Sequence, residues 1–211
     1  MTLIWFPDQI FKHPARFIIG SFNPCFGWDY APASLFGLGL CSFNVFLLWR
    51  YAWLEATRTN LKNPSGQLSW AQLFAKFSAI LLALSSNTWL LLWIVGPTDG
   101  NWAAHTGLFM LFAVASQLSC LGNYLEARTD PKRASKITKQ QVAFQWVYGL
   151  VTTYIALAYV IACFLADPDS PPAVPAWVTQ SADIVWLICQ GSVLVTPSLA
   201  LTLTGHCLAD L

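Results

Sequence analysis

Charged side chains are scarce in this sequence. Only 10% of its 211 residues are Asp, Glu, Lys or Arg, whereas a soluble domain has about 25%. A folded chain with so little charge cannot cover a water-facing surface, which excludes a cytosolic globular enzyme. A disordered regulator is excluded because 56% of the residues are hydrophobic. The 11 basic residues are too few for a nucleic-acid binder. The composition therefore predicts a multi-pass membrane protein with little mass outside the bilayer.

The sequence also lacks the motifs of familiar catalytic and metal sites. It contains no GxSxG, HExxH, Walker loop or GxGxxG, so no catalytic residue is predicted. The six cysteines form no CxxC pair and no Cys/His cluster, so no metal site is predicted. We expect them to be small buried hydrophobes, with a disulfide at Cys25 as the alternative. The last apolar run has no lysine, which excludes a retinal Schiff base of the usual rhodopsin type.

Long apolar runs, by contrast, fill most of the chain. Five are long enough for a spanning helix, which needs about 20 residues, and the connections between them hold Pro, Gly, Asn and Asp. The runs are 33–53, 72–96, 102–124, 142–166 and 177–203. The predicted fold is an all-α transmembrane bundle of about five helices over residues 31–211.

Residues 1–30 precede the first run. Their apolar side chains are interrupted and too few to cross a bilayer. We predict an interfacial segment that lies on the outer leaflet, with a sixth crossing as the alternative.

The basic residues are distributed unevenly among the connections. Nine of the 11 flank the first and third connections, whereas the second and fourth contain none. Because Lys and Arg concentrate on the cytoplasmic side, we predict an outer or luminal N-terminus and a cytoplasmic C-terminus, in an endomembrane or the plasma membrane. Lys12 and Arg16 are the exceptions. The nine are Arg50, Arg58, Lys62, Lys76, Arg128, Lys132, Arg133, Lys136 and Lys139.

A few polar residues are predicted to lie in the outer half of the bundle. Ionisable groups at such depth are costly and are therefore functional candidates. Asp183 follows Trp177 by six residues, about 9 Å along a helix, and shares a helix face with Gln190. The residues predicted to line this outer pocket are Asp29, Asn87, His105, Asp183 and Gln190.

Three interpretations of these residues stay open: hydrogen bonding between helices without a ligand, a pocket for a ligand or lipid head group, and a proton or ion path. Bound lipid is the expected ligand, with a chlorophyll-type pigment held by His105 as a further alternative. The three histidines are not expected to converge, because His105 is predicted at the outer face and His206 at the inner one. A haem held by two histidines is therefore not expected.

Several short motifs follow one another in a recognisable order. An acidic residue, prolines and a Phe-Gly pair lie between Trp28 and Gly37 and lead into a helix that ends in Arg50-Tyr51. A later helix starts with Ala104-His105-Thr106-Gly107, and the last one starts with Ser181-Ala182 followed by Trp186. In these motifs, and in helix spacing from about residue 20 onward, the chain resembles the damage-regulated autophagy modulators and their relatives in GPI-anchor maturation. That family usually has six crossings with both termini cytosolic, so its first helix is missing here or reduced to residues 1–20.

The resemblance implies a non-catalytic membrane protein in endomembrane lipid handling or trafficking, such as GPI-lipid remodelling or autophagy regulation. Membrane lipids and proteins within the bilayer would be its partners. Low charge and many aromatics also suit an accessory or structural subunit of a larger membrane complex, one that binds pigment or lipid. A channel or transporter subunit is the third hypothesis, with Asp183 as the suspected residue.

Overall fold

The computed structural model describes most of the first four apolar runs. Every regular element among the described residues is helical. The helices are α1 (Pro7–Phe11), a 3-10 turn (Pro24–Gly27), α2 (Ala33–Lys62), α3 (Trp70–Leu92), α4 (Trp102–Thr129) and α5 (Lys139–Leu165). The described residues are 4, 7–13, 24–95, 102–130, 134–135, 139–165, 177–178, 180–182, 184–185 and 188–189.

Three helices are long and apolar enough, by length and composition, to cross a membrane. They are Ala33–Lys62, Trp70–Leu92 and Ala104–Thr129, which confirms that the first three apolar runs form helices of spanning length. The fourth run forms α5, whose apolar part is described over Val142–Ala158. The described positions between 177 and 189 are helical, and the total of five crossings stays a prediction.

Large apolar side chains cover the outside of these helices. On α2, Phe43, Phe46 and Trp53 each expose more than half of their surface, and Phe77 of α3 and Leu150 of α5 do the same. Soluble proteins rarely expose continuous apolar surface of this extent. The acyl chains of a bilayer would cover it, so the fold is that expected of an integral membrane protein.

The interior of the bundle is built on small side chains of α3, which packs against both α2 and α4. Small residues let two helices approach closely, and α3 and α4 approach closely at Gly122 of α4. A Cβ added there would lie 2.6 Å from Ser78 Oγ and 2.9 Å from Ala75 Cα. The small buried residues of α3 are Ala71, Ala75, Ser78, Ala79, Ala83, Ser85 and Ser86.

The connection between α2 and α3 forms the turn that its Asn-Pro-Ser-Gly sequence predicts. Gly66 has a φ of +73°, a left-handed conformation that glycine adopts without steric cost. Ser69 and Gln72 then form a capping box, in which the side chain of each accepts a hydrogen bond from the backbone N–H of the other. These local signals fix where α3 begins.

Candidate functional site

Three polar side chains meet at one end of the bundle. His13 follows α1, Asp29 lies in the loop before α2, and His105 lies in the first turn of α4. We call these three residues the outer cluster. Each lies at or just beyond a helix end, so the helix packing brings together residues that are distant in sequence.

Asp29 is held between the two histidines. Its Oδ2 lies 2.9 Å from His13 Nε2, and its Oδ1 lies 3.5 Å from His105 Nε2. The other ring nitrogen of His105, Nδ1, lies 2.7 Å from the backbone oxygen of Val95, just after the end of α3. The side chains of His13 and Asp29 are only 2% and 8% exposed, so the contacts are shielded from water.

The partners of His105 determine its protonation. A backbone carbonyl can only accept a hydrogen bond, so Nδ1 must carry a proton to bond Val95. The ion pair with Asp29 requires a proton on Nε2 as well. With both protons in place, His105 is an imidazolium whose positive charge faces the carboxylate of Asp29.

The two histidines also set the acidity of Asp29. Burial by itself would raise the pKa of this carboxyl. Hydrogen bonds from His105 and His13, together with their charges, outweigh burial and hold the pKa of Asp29 below its ordinary value. The carboxyl is therefore ionised at neutral pH.

His13 is fixed by aromatic neighbours as well as by Asp29. Its ring stacks on Phe26 at 4.0 Å between centroids and meets the edge of Tyr30 at 5.7 Å. Ile10 of α1 is buried beside them. The residues around α1 and the loop before α2 thus form one packed unit at this end of the bundle.

The expectation that the histidines do not converge is wrong for His13 and His105, because both contact Asp29. Sequence reasoning missed His13 because its partner Asp29 lies 16 residues away along the chain, a separation that leaves no periodic signal. His206 lies outside the described residues.

The structure brings together two of the five residues predicted to line the outer pocket, Asp29 and His105. Asn87 is exposed, and its side-chain amide donates to two backbone carbonyls of its own helix, so it takes no part in the cluster. Asp183 and Gln190 lie outside the described residues.

The described geometry bears on two cofactor hypotheses. Both ring nitrogens of His105 already have partners, so a pigment held by this histidine would have to replace one of them. In the part of the chain that the structure describes, no three His, Cys, Asp or Glu side chains are arranged to hold a metal ion.

An aromatic rim borders the outer cluster. Trp28, the neighbour of Asp29 in sequence, is 6.3 Å from Phe36 and 6.5 Å from Trp93 between ring centroids. Trp93 lies directly against Gly37, where an added Cβ would come within 2.9 Å of its ring. Since Trp28 and Phe36 are largely exposed, the site combines a buried ion pair with aromatic rings at the surface.

A second polar group, which we call the inner cluster, joins α2 and α4 near their C-terminal ends, at the end of the bundle away from the outer cluster. Arg58 of α2 forms hydrogen-bonded ion pairs with Glu55 of the same helix and with Glu126 of α4. All three are at least 95% buried. With two carboxylates and one guanidinium, the inner cluster has a formal charge of −1.

Further polar contacts extend the inner cluster along the same helix pair. One helical turn before the inner cluster, the side-chain amide of Asn123 donates a hydrogen bond to the hydroxyl of Tyr51. The same hydroxyl lies 3.4 Å from Ser119 Oγ. One turn after the inner cluster, Lys62 pairs with Asp130 at 3.6 Å. The α2–α4 interface is therefore polar over about three helical turns.

Sequence reasoning did not identify the inner cluster. It treated Arg58 as one of the cations that mark the cytoplasmic side, whereas Arg58 is buried and paired. A signal was available: Tyr51, Glu55, Arg58 and Lys62 are spaced by four, three and four residues, which places them on one helix face.

Known proteins give no guide to the function of this apolar bundle and its two polar clusters. No family model matches the chain, and no curated protein or solved structure matches it either. The function is therefore inferred from the chemistry of the two clusters and from their places in the fold.

Proposed function

We propose that this chain is an integral membrane protein whose outer cluster lies on the outer or luminal side. The inner ends of α2 and α4 and the α2–α3 connection lie at the opposite end of the bundle. The basic residues Lys62, Lys76 and Arg128 lie near that end, which fits the preference of basic residues for the cytoplasmic side. The N-terminus would then be outside and α2 would cross inward.

The proposed activity is lipid handling through recognition of a phosphate-bearing head group at the outer cluster. The observation that carries it is the buried side chain of His105 in the first turn of α4, whose Nε2 lies 3.5 Å from the Asp29 carboxylate. A lipid phosphate accepts charge-assisted hydrogen bonds from imidazolium as a carboxylate does. It can therefore exchange with Asp29 at His105 and His13.

The aromatic rim supports a lipid as the source of that phosphate. Trp and Tyr rings are favoured at the level of the head groups, where one part of the ring is apolar and the other meets water. Trp28 and Phe36 would contact the glycerol and upper acyl region of a lipid whose phosphate reaches His105. The proposal includes the roles that the resemblance implies. These are GPI-lipid remodelling or autophagy regulation, with protein partners in the bilayer.

The test is phospholipid retention by the protein purified in mild detergent, measured as phosphorus per polypeptide. We expect the wild type to retain lipid and His105→Gln to lose about tenfold in affinity or more, because a charge-assisted hydrogen bond contributes about 1.5–3 kcal/mol. Asn87→Ala is the matched control, since Asn87 is exposed at the same end and bonds only to its own helix in the described contacts. Equal retention by all three proteins, each with wild-type helicity, would refute the proposal.

The inner cluster favours a second candidate, a proton or ion path. Ionisable groups buried between spanning helices commonly mark such paths, and Glu126 lies on α4 at the junction with α2. Reconstituted liposomes test it through ion or proton flux in the wild type and in Glu126→Gln. Flux that is absent, or that Glu126→Gln leaves unchanged, would remove this candidate.

A further inference from the structure

The contact between Asp29 and His105 joins two units of the molecule. We call residues 7–13 and 24–30 the N-terminal unit, since His13, Phe26 and Asp29 pack together within it. His105 belongs to α4, and its other partner is the backbone of Val95 after α3. The Asp29–His105 ion pair therefore fastens the N-terminal unit to the bundle.

The fastened and released forms differ by one proton. In the fastened form, His105 needs protons on both ring nitrogens, one for Val95 and one for Asp29. In a released form, the bond to Val95 requires only the proton on Nδ1. Without the second proton, the lone pair of Nε2 would face the Oδ1 of Asp29, and the two would repel each other. The fastened form therefore binds one more proton.

We propose that the Asp29–His105 ion pair is a pH-controlled latch, which holds the N-terminal unit on the bundle at mildly acidic to neutral pH and releases it as the pH rises. His13 stays with the released unit, because its Nε2–H can donate to Asp29 in the neutral state. The latch depends on the geometry of the outer cluster and does not require lipid binding.

The groups around the latch are few in the described part of the chain. Within the N-terminal unit, His13 contacts Asp29, and Tyr30 contacts His13. From α4 the facing group is His105, and after α3 it is the uncharged backbone carbonyl of Val95. Histidine is the side chain that ordinarily changes its charge between mildly acidic and mildly alkaline pH, and loss of the second proton from His105 breaks the fastening.

Hydrogen exchange of the 7–13 peptide in lipid nanodiscs tests the latch. The N–H groups of Lys12 and His13 bond to backbone oxygens within this segment, and release exposes them to water. After correction for the intrinsic effect of pH, we expect protection in the wild type to fall between pH 6.5 and 8.5 by up to about tenfold per pH unit, the limit for one linked proton. Asn87→Ala should show the same fall.

Two variants decide whether His105 is responsible. His105→Gln keeps a hydrogen-bonding side chain that does not titrate, so its protection should be the same at both pH values. Asp29→Asn removes the charge opposite His105 and should also abolish the pH dependence. This second variant decides the test if His105→Gln loses helicity. Constant protection in the wild type, or a wild-type fall in either folded variant, would overturn the proposal. Lipid retention is measured separately, so either proposal can fail without the other.

Discussion

Arg58 of α2 and Glu126 of α4 form a buried ion pair between two helices that are apolar enough to cross a membrane. Glu55 pairs with the same guanidinium, so the single cation of Arg58 is shared by two carboxylates. Removing charges from water is costly, and a buried pair withstands this cost only when its members stay hydrogen-bonded. The two partners of the ion pair are therefore not equivalent.

Removing the positive charge of the inner cluster should be far more damaging than removing one negative charge. Arg58→Gln removes the cation that pairs with both Glu55 and Glu126, and we expect a loss of about 3–5 kcal/mol of stability. Glu126→Gln leaves a neutral Arg58–Glu55 pair and can still accept a hydrogen bond, so its loss should be about 1 kcal/mol or less. Unfolding midpoints in detergent measure both, and an equal loss would contradict the charge assignment.

Gly122 should tolerate no side chain. A methyl group there would overlap Ser78 and Ala75 of α3, so Gly122→Ala should cost about 1–3 kcal/mol as the helices separate. The matched control is Gly107→Ala in the same helix, where an added Cβ meets nothing within 4 Å. Alanine is the better helix former, so this control should stabilise the protein by up to about 1 kcal/mol. Similar effects of both substitutions on thermal unfolding would argue against the close packing of α3 and α4.

Asp29 should make the stability of the protein sensitive to acid. Because its pKa is lowered in the folded protein, its contribution is fully present above the ordinary Asp pKa of about 3.9 and is lost as the pH falls through the lower folded value. Asp29→Asn should therefore be less stable than the wild type at pH 7 and approach it near pH 2. Thermal unfolding followed by circular dichroism measures this difference. Asp8→Asn, at an exposed position of α1, should show no such convergence.

The spanning helices could be predicted because uninterrupted apolar runs leave few alternatives, but their ends could not. The first apolar run ends near residue 53, whereas α2 continues to Lys62. The added turns carry Glu55 and Arg58, whose charges end the apolar pattern without ending the helix. Their burial depends on Glu126, which lies 68 residues from Arg58 in sequence, and no local pattern contains that pairing.

Part of the outer cluster could also be predicted from the sequence. Asp29 and His105 both lie near the outer ends of predicted helices, and depth alone suggested that they could meet. His13 was missed because its position depends on stacking with Phe26 and on its contact with Asp29, both distant from it in sequence. Asn87 has a similar predicted depth but is exposed on α3. The depth of a residue therefore does not define a site unless the face of the helix on which it lies is also known.

The central claim is that the outer cluster and the α2–α3 connection lie on opposite sides of a membrane. Labelling with a membrane-impermeant maleimide in intact cells tests it most directly, using Asp8→Cys and Ser65→Cys in a background without the native cysteines. Both positions are exposed, and Ser65→Cys nearly preserves the side-chain size. With the protein at the cell surface, the account predicts labelling of Asp8→Cys in intact cells and of Ser65→Cys only after permeabilisation. Labelling of both variants in intact cells, or of Ser65→Cys alone, would contradict it.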